Sequence, residues 1–124
     1  MAAVGPPISP DKGKERPLVC LGNAHGKSCP PEMTEQRVNC FREAFSLNEN
    51  EISINKPFAG GYITREYGEQ SVPWIQVELN QSLYLQEPNF SRENFIKDED
   101  RIIEIRQKFE EALQLFFNMK YVLE

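Results

Sequence analysis

Residues 55–68 read Asn-Lys-Pro-Phe-Ala-Gly-Gly-Tyr-Ile-Thr-Arg-Glu-Tyr-Gly, and residues 72–84 read Val-Pro-Trp-Ile-Gln-Val-Glu-Leu-Asn-Gln-Ser-Leu-Tyr. The first segment is predicted to be a loop, because a lysine before proline favours extended backbone and the two glycines permit positive φ. The second segment alternates apolar and polar residues, which predicts a strand over residues 74–84 with one apolar and one mostly polar face. A strand carboxylate that follows a glycine-rich loop indicates a site.

The polar side chains of these two segments are the candidate site residues. The loop carries Tyr62, Thr64 and Arg65, which suit the binding of a polar ligand, and the strand carries Glu78. Arginine offers a planar fork to a carboxylate, and a partly desolvated glutamate can act as a general acid or base. From the chemistry alone, two interpretations are equally favoured. Arg65 and Glu78 either share a functional site, or they are surface charges that are solvated or paired with each other.

Length and composition limit the classes of protein. The chain has 124 residues, 40% of them hydrophobic, and a net charge of −5. It is long enough for one small domain, and no basic stripe is present to bind nucleic acid. No apolar run reaches the roughly 20 residues of a membrane span, and no secretion signal is visible. Three cysteines without a Cys-x-x-Cys pair favour a reducing, cytoplasmic location.

The remaining elements are predicted from apolar spacing, from proline and glycine positions and from helix-capping residues. In chain order they are an irregular segment at 1–16, a buried strand at 17–22, a loop at 23–29, a helix from about 30 to 47 with Ser28 or Cys29 near its cap, a strand at 51–55, a loop at 86–97 and a helix from about 98 to 118. This order predicts an α/β fold in which helices flank a small mixed sheet. Residues 17–124 are predicted to form one domain, and the apolar stripe of the last helix is expected to be core.

His25 and Cys29 raise two further possibilities. His25 is the only histidine, so a zinc site built by this chain alone is disfavoured, and contact with a loop or ligand is the preferred interpretation. Cys29 could be activated by a helix N-terminus and by His25, which would make a Cys-His hydrolase conceivable. A small buried cysteine at the helix entry is the favoured alternative.

Three segments resemble motifs of the N-formylglutamate amidohydrolase family. Residues 21–29, Leu-Gly-Asn-Ala-His-Gly-Lys-Ser-Cys, are similar to its Leu-Gly-Asp-x-x-Gly-x-Ser-Cys segment, with Asn23 where aspartate is frequent. Residues 55–65 resemble its Asn-x-Pro-[Tyr or Phe]-x-Gly-Gly-Tyr-[Ile or Val]-Thr segment, which is specific. Residues 75–80, followed by Leu83-Tyr84, resemble its Gln-x-Glu-x-Asn strand. The order and the gaps are similar, and the match covers the C-terminal half of the family.

The resemblance implies a fold like that of zinc carboxypeptidases and aspartoacylases, as part of a larger phosphorylase/hydrolase-like domain. It also implies hydrolysis of N-formylglutamate to formate and glutamate, in histidine degradation. The family's zinc ligands are expected upstream, in a His-containing segment, a Glu and an Asp-x-His-Ser strand end. Residues 1–6 resemble the family segment just after that strand, so the resemblance implies an unstructured start just past the last ligand. Zinc is expected for a complete enzyme and not for this chain alone.

Site roles are also carried over by position. Glu78 matches the strand glutamate that, in related enzymes, is the general base for zinc-bound water. Arg65 is expected to bind a substrate carboxylate in a pocket shaped by Gly60, Gly61 and Tyr62, and the other substrate-binding candidates are Thr64 and His25.

The leading hypothesis is therefore a fragment, or a form without metal ligands, of an amidohydrolase-like enzyme that acts on the C–N bond of a small N-acyl amino acid. The alternative is a non-catalytic carboxylate-binding or interaction module, and whether the chain is an enzyme stays open. No nucleic-acid or membrane partner is expected. An incomplete sheet would leave an exposed edge, through which the chain could self-associate.

Overall fold

The computed structural model describes residues 1–68, 71–85, 90–91 and 96–118. Its centre is a three-stranded mixed sheet with the order β2-β1-β3, in which β1 pairs parallel with β2 and antiparallel with β3. These strands are β1 (Val19–Gly22), β2 (Ile52–Ile54) and β3 (Gln76–Leu79). The helices are α1 (Pro31–Phe45), α2 (Tyr62–Tyr67), α3 (Ser82–Leu85) and α4 (Glu99–Phe117), and a short ribbon joins β4 (Phe90–Ser91) to β5 (Ile96–Lys97). The predicted α/β class with a small mixed sheet is confirmed.

One face of the sheet carries the hydrophobic core. Alternate residues of each strand point to this face, where they pack with α1 and α4. The Phe41 ring of α1 meets the Phe109 ring of α4 edge to face, with centroids 5.2 Å apart. The buried members are Val19, Leu21, Val38, Phe41, Ala44, Phe45, Ile52, Leu83, Ile105 and Ala112. We call this side of the sheet the core face and the opposite side the polar face.

The apolar stripe predicted for α4 is only partly core. Ile105 and Ala112 are buried, whereas Ile103, Leu113 and Phe117 are 43%, 40% and 72% exposed. The helix packs on α1 and α3, and these three apolar side chains lie outside the buried part of that contact. Its start agrees with the prediction, because the Asp98 side chain accepts a hydrogen bond from the Arg101 amide. No helix in the described part of the chain is long and apolar enough to cross a membrane.

Two local predictions were wrong. The segment predicted as a loop contains α2 after Gly61, and the strand predicted over residues 74–84 is regular only from Gln76 to Leu79. It ends because the Asn80 side chain accepts a hydrogen bond from the Ser82 amide, which starts α3. The start of α1 agrees with the prediction, because its N-cap is Pro30, directly after Cys29, although no side chain among the described residues makes a capping hydrogen bond there. Most of the predicted 86–97 loop lies outside the described residues.

Residues 1–16 hold no helix or regular strand, but they are not unstructured. Isolated bridges join Val4 to Glu15 and Gly5 to Lys12, so the segment folds back on itself. The Met1 nitrogen donates to the Leu79 carbonyl at 2.7 Å, and the Met1 carbonyl accepts from the Gln81 amide at 2.8 Å. These bonds attach the segment to the outer edge of β3, whereas the resemblance implied a loose start.

Candidate functional site

Glu78 lies on the polar face of the sheet. Cys20 of β1 is directly opposite Glu78 of β3 and also opposite Ser53 of β2, so these three side chains form one row across the three strands. Val77 and Leu79, the neighbours of Glu78 in β3, pack against the core. Alternation therefore directs the carboxylate away from the core, and its side chain is 34% exposed.

The segment that follows β2 lies across the polar face. The Cys20 thiol donates to the carbonyls of Lys56 and Phe58, at 3.3 and 3.4 Å, and the Ser53 hydroxyl also donates to Lys56. Further along, Ala59 contacts β1 at Gly22, where a Cβ would come within 2.6 Å of the Ala59 oxygen. The glycine thus allows the close approach that places residues 59–61 at the carboxyl end of β1.

A glutamine connects this twin-glycine bend, residues 60–61, to the strand carboxylate. The Gly61 amide donates to Gln76 Oε1 at 2.8 Å, and Gln76 Nε2 donates to Glu78 Oε1 at 3.2 Å. Gln76 and Glu78 are two apart in β3 and share the polar face. The structure therefore brings Gly61 and Glu78 to one small region through Gln76.

Arg65 does not join that cluster through an ion pair. Its side chain is exposed on α2, and among the described residues no salt bridge links it to Glu78. The backbone places it one helical turn after the bend, since the Arg65 amide donates to the Gly61 carbonyl at 3.1 Å. The backbone thus brings Arg65 near the bend, and the convergence of the two charges stays a prediction.

The other predicted site residues have mixed environments. Tyr62 begins α2 and is 68% exposed, whereas Thr64 is 6% exposed and lies against Gly60. Packing of Thr64 holds the bend, so its hydroxyl is poorly placed to meet a ligand directly. His25 is exposed in a turn with φ of 56°.

Cys29 is 1% exposed, and no hydrogen bond joins it to His25 in the described part of the chain. A thiol enclosed in this way, with no contact to the imidazole, lacks the activating base that a Cys-His hydrolase needs. The geometry therefore favours the interpretation of Cys29 as a small buried side chain at the entry to α1.

Arg16 is a candidate that the sequence interpretation missed. Its side chain is only 6% exposed, and its guanidinium donates twice to Asp11, at 2.7 and 3.0 Å. It also lies over the Phe58 ring, 4.9 Å from the centroid. The hydrogen bond to Asp11 raises the pKa of Arg16, and the more distant Glu78 charge adds to the effect. Arg16 is thus a cation held on the polar face.

The same pair has a strong effect on the acid. The hydrogen bond from Arg16, with a second one from the Ser9 hydroxyl, holds the pKa of Asp11 far below its usual range. The sequence analysis placed these residues in the irregular segment at 1–16. The only signal was an acid and a base five residues apart just before a buried strand, which does not by itself distinguish a pair from solvated charges.

Asn23 occupies the position where aspartate is frequent in the family, and its contacts are now defined. Its Oδ1 accepts from the Gly26 amide at 2.9 Å and from Asn55 Nδ2 at 2.8 Å, while its Nδ2 donates to the Thr34 hydroxyl at 3.0 Å. The Thr34 hydroxyl donates to the Pro30 carbonyl, so an amide donor at position 23 completes the set. Asn23 therefore fastens the turn after β1 to α1 and to the residue that follows β2.

The described residues do not fit a zinc site. No group of three or more His, Cys, Asp or Glu side chains in residues 1–68, 71–85, 90–91 and 96–118 comes close enough to hold a metal ion. Protein zinc sites need three or four convergent ligands of these types.

Comparison with known proteins identifies the chain. Residues 1–85 match the family model of N-formylglutamate amidohydrolase. An N-formylglutamate deformylase of Pseudomonas putida is 36% identical over 69 residues, which are 54% of this chain and 25% of the relative. The crystal structure of N-formylglutamate amidohydrolase from Ralstonia eutropha shares the fold, with a TM-score of 0.60 at 17% identity over 84% of this chain and 35% of that one. The chain thus spans only about a quarter to a third of the length of these proteins. It belongs to the N-formylglutamate amidohydrolase family.

Proposed function

We propose that this chain forms part of the site of a hydrolase that cleaves the C–N amide bond of a small N-acyl amino acid, with N-formylglutamate as the candidate substrate. The observation that carries the proposal is the connection from the Gly61 amide through Gln76 to the Glu78 carboxylate. It supports the proposal because it joins a carboxylate to a backbone bend that is exposed at Gly61 and Tyr62. Family membership supplies the reaction class.

Glu78 is the proposed proton-transfer residue. During amide hydrolysis its carboxylate would take a proton from the attacking water and return it to the amine nitrogen as the C–N bond breaks. The Glu78 side chain suits this role because it is partly exposed and Gln76 holds one of its oxygens, while the Met1 nitrogen lies 3.7 Å from the other. The described residues supply no metal site, so no step is assigned to a metal.

Arg65 is the proposed binding group for the substrate carboxylate, with Gly60, Gly61, Tyr62 and, more distantly, His25 around it. Its guanidinium is exposed and has no ion pair among the described residues, so it is free to bind an anion. Thr64 supports this group by packing under Gly60. Charge-assisted, two-point bonds to a carboxylate are the interactions that arginine makes best.

Binding of N-formyl-L-glutamate tests the proposal. Titration followed by amide NMR is expected to shift the Gly61, Tyr62 and Arg65 signals, and Arg65→Gln is expected to weaken binding about tenfold, because a charge-assisted contact is lost. Arg106→Gln is the matched control, since Arg106 is also an exposed helical arginine but lies on α4 with Glu110 at 3.7 Å. Equal affinity in the two variants would contradict the proposed role of Arg65.

Turnover is tested separately by measuring formate. The chain alone is expected to release no formate in a zinc-dependent way, since its described residues hold no metal cluster. Stoichiometric zinc in the purified chain, together with deformylase activity that a chelator removes, would overturn that expectation.

The second candidate is a non-catalytic module that binds a carboxylate or a partner. The observation in its favour is the lack of a metal cluster among the described residues, together with the exposure of Tyr62, Ile63 and Tyr67 around Arg65. In that case Arg65→Gln would weaken binding while Glu78→Gln would change no measured property. Self-association through the sheet edge belongs to this candidate, and sedimentation of the chain over a range of concentrations measures it.

A further inference from the structure

Gln76 makes two hydrogen bonds that only an amide can make together. Its oxygen accepts from the Gly61 amide at 2.8 Å, and its nitrogen donates to Glu78 Oε1 at 3.2 Å. The Gly61 N–H is a donor and the carboxylate is an acceptor, so the amide has one allowed orientation. A methionine of similar length could make neither bond, and a glutamate could make only the first.

The connection crosses two separate parts of the chain. Gly61 lies 15 residues before Gln76 and opens α2, whereas Glu78 sits in the middle of β3 opposite Cys20. The register of β3 fixes the positions of Gln76 and Glu78, and contact with Gly22 fixes the bend. Gln76 is therefore the side chain that sets the orientation of the carboxylate relative to the bend.

We propose that Gln76 is a positioning residue that holds Oε1 of Glu78 toward the twin-glycine bend, while the Met1 nitrogen faces Oε2 at 3.7 Å. The meaning of this role for catalysis rests on the proposed function, although the coupling itself does not. A ligand that accepts a hydrogen bond from the Gly61 amide would release Gln76 and change the contacts of Glu78. The bend and the proton-transfer group would then respond to each other.

Other charged or titratable groups also face Glu78, and all remain constant in the test. The Met1 nitrogen is 3.7 Å from Glu78 Oε2, Cys20 is opposite it in β1, and the Arg16 guanidinium acts on it from the N-terminal segment. Arg65 on α2 forms no ion pair with it. The chain should therefore be prepared without an N-terminal tag, so that the Met1 amine is preserved.

The experiment measures two quantities in the ligand-free chain: the chemical shift of the Glu78 carboxyl carbon at neutral pH, and the hydrogen-exchange rate of the Gly61 amide. Gln76→Glu is expected to move the Glu78 carboxyl signal, because Oε1 loses its amide donor, while Gly61 keeps its acceptor and its exchange rate. Gln76→Met is expected to move the same signal and to accelerate Gly61 exchange about fivefold, because both bonds are lost.

A double change separates positioning from general disturbance. Gln76→Glu combined with Glu78→Gln exchanges the two side chains, so the carboxylate introduced at position 76 can accept from both Gly61 and the new amide at position 78. Slow Gly61 exchange is expected to persist in this variant. An unchanged Glu78 carboxyl signal in Gln76→Glu, or Gly61 exchange that is the same in Gln76→Met as in the unaltered chain, would overturn the inference.

The proposed function fails independently of this inference. If the Gln76 variants refute the positioning role, the expected effect of Arg65→Gln on N-formyl-L-glutamate binding is unchanged. Conversely, a failure of Arg65→Gln to weaken ligand binding would leave the coupling between Gly61 and Glu78 intact. The two results therefore identify which proposal is wrong.

Discussion

Replacing Gly22 with alanine tests whether contact between β1 and residues 59–60 holds the site. A Cβ at Gly22 would lie 2.6 Å from the Ala59 oxygen, 2.7 Å from the Ala59 carbonyl carbon and 3.1 Å from the Gly60 nitrogen. These are backbone atoms, so no side-chain rotation can relieve the clash. The Ala59 carbonyl would have to retreat by about 0.8 Å to reach ordinary contact at 3.4 Å.

The free-energy change can be worked out from this displacement. Overpacking of a buried site costs about 1–3 kcal/mol, and weakening the 2.8 Å bond from the Ala24 amide to the Ala59 carbonyl adds about 1 kcal/mol. Alanine offsets about 0.5–1 kcal/mol of this, because glycine loses more backbone entropy on folding. We expect Gly22→Ala to lower the free energy of unfolding by about 2 kcal/mol.

Urea unfolding followed by circular dichroism measures this loss. With a slope of about 2 kcal/mol per molar urea, the midpoint should fall by about 1 M. Gly13→Ala is the matched control, because Gly13 has φ of +75° and no heavy atom within 4 Å of its added Cβ, so only backbone strain of about 1 kcal/mol applies. Gly61 amide exchange should accelerate in Gly22→Ala alone. A midpoint equal to that of the unaltered chain would refute this account of the contact.

Two further predictions concern stability. Arg16 and Ser9 depress the pKa of Asp11 in the folded chain, so the stabilisation that its carboxylate provides is present above the unfolded pKa of about 4 and is lost as pH falls. Asp11→Asn should therefore flatten the dependence of the unfolding free energy on pH between about 2 and 5, as measured by urea titration at each pH. Ile105→Ala should lower the free energy of unfolding by about 3 kcal/mol, because the Ile105 side chain is only 7% exposed. Ile103, at 43% exposure, is the control, and Ile103→Ala should change the free energy of unfolding by less than about 0.5 kcal/mol. Equal effects of the two changes would contradict the assignment of the α4 core.

The elements that the sequence predicted well are those whose local pattern agrees with their tertiary environment. The run from Pro17 to Gly22 is continuously apolar, and β1 within it is buried on both faces in the centre of the sheet. Helices α1 and α4 were located to within about two residues at most ends, since proline and aspartate mark their starts. Such signals lie within a few residues of the element.

The errors arose where distant contacts decide the local structure. Helix α2 directly follows two glycines, which favour a loop, yet Thr64 packs under Gly60 and closes a short helix. The predicted strand continued through Asn80 because the alternation of residues continued. In the fold, Asn80 turns the chain by donating to the Arg16 and Pro17 carbonyls, more than 60 residues away. The alternation of apolar and polar residues does not predict a hydrogen bond to such a distant residue.

In the candidate site too, local motifs were informative and contacts between distant residues were not predicted. Family motifs led to Glu78 and to the twin-glycine bend, and the structure places both in one region. The strand motif includes Gln76, but the sequence assigned it no role, because that role depends on where residues 59–61 lie on the sheet. Arg16 was missed for a similar reason, since its burial depends on Asp11 and Phe58 approaching from two sides.

The alternation of polar and apolar residues in β3 disfavours a shifted pairing with β1. A shift of β3 by one residue would turn Glu78 and Gln76 toward the helices and expel Val77 and Leu79 into water. Inserting a carboxylate among hydrocarbon side chains is among the most unfavourable events in folding. The Glu78 carboxylate therefore also disfavours the shifted register of β3. Removing its charge is expected to weaken the preference for the native register even when no ligand is bound.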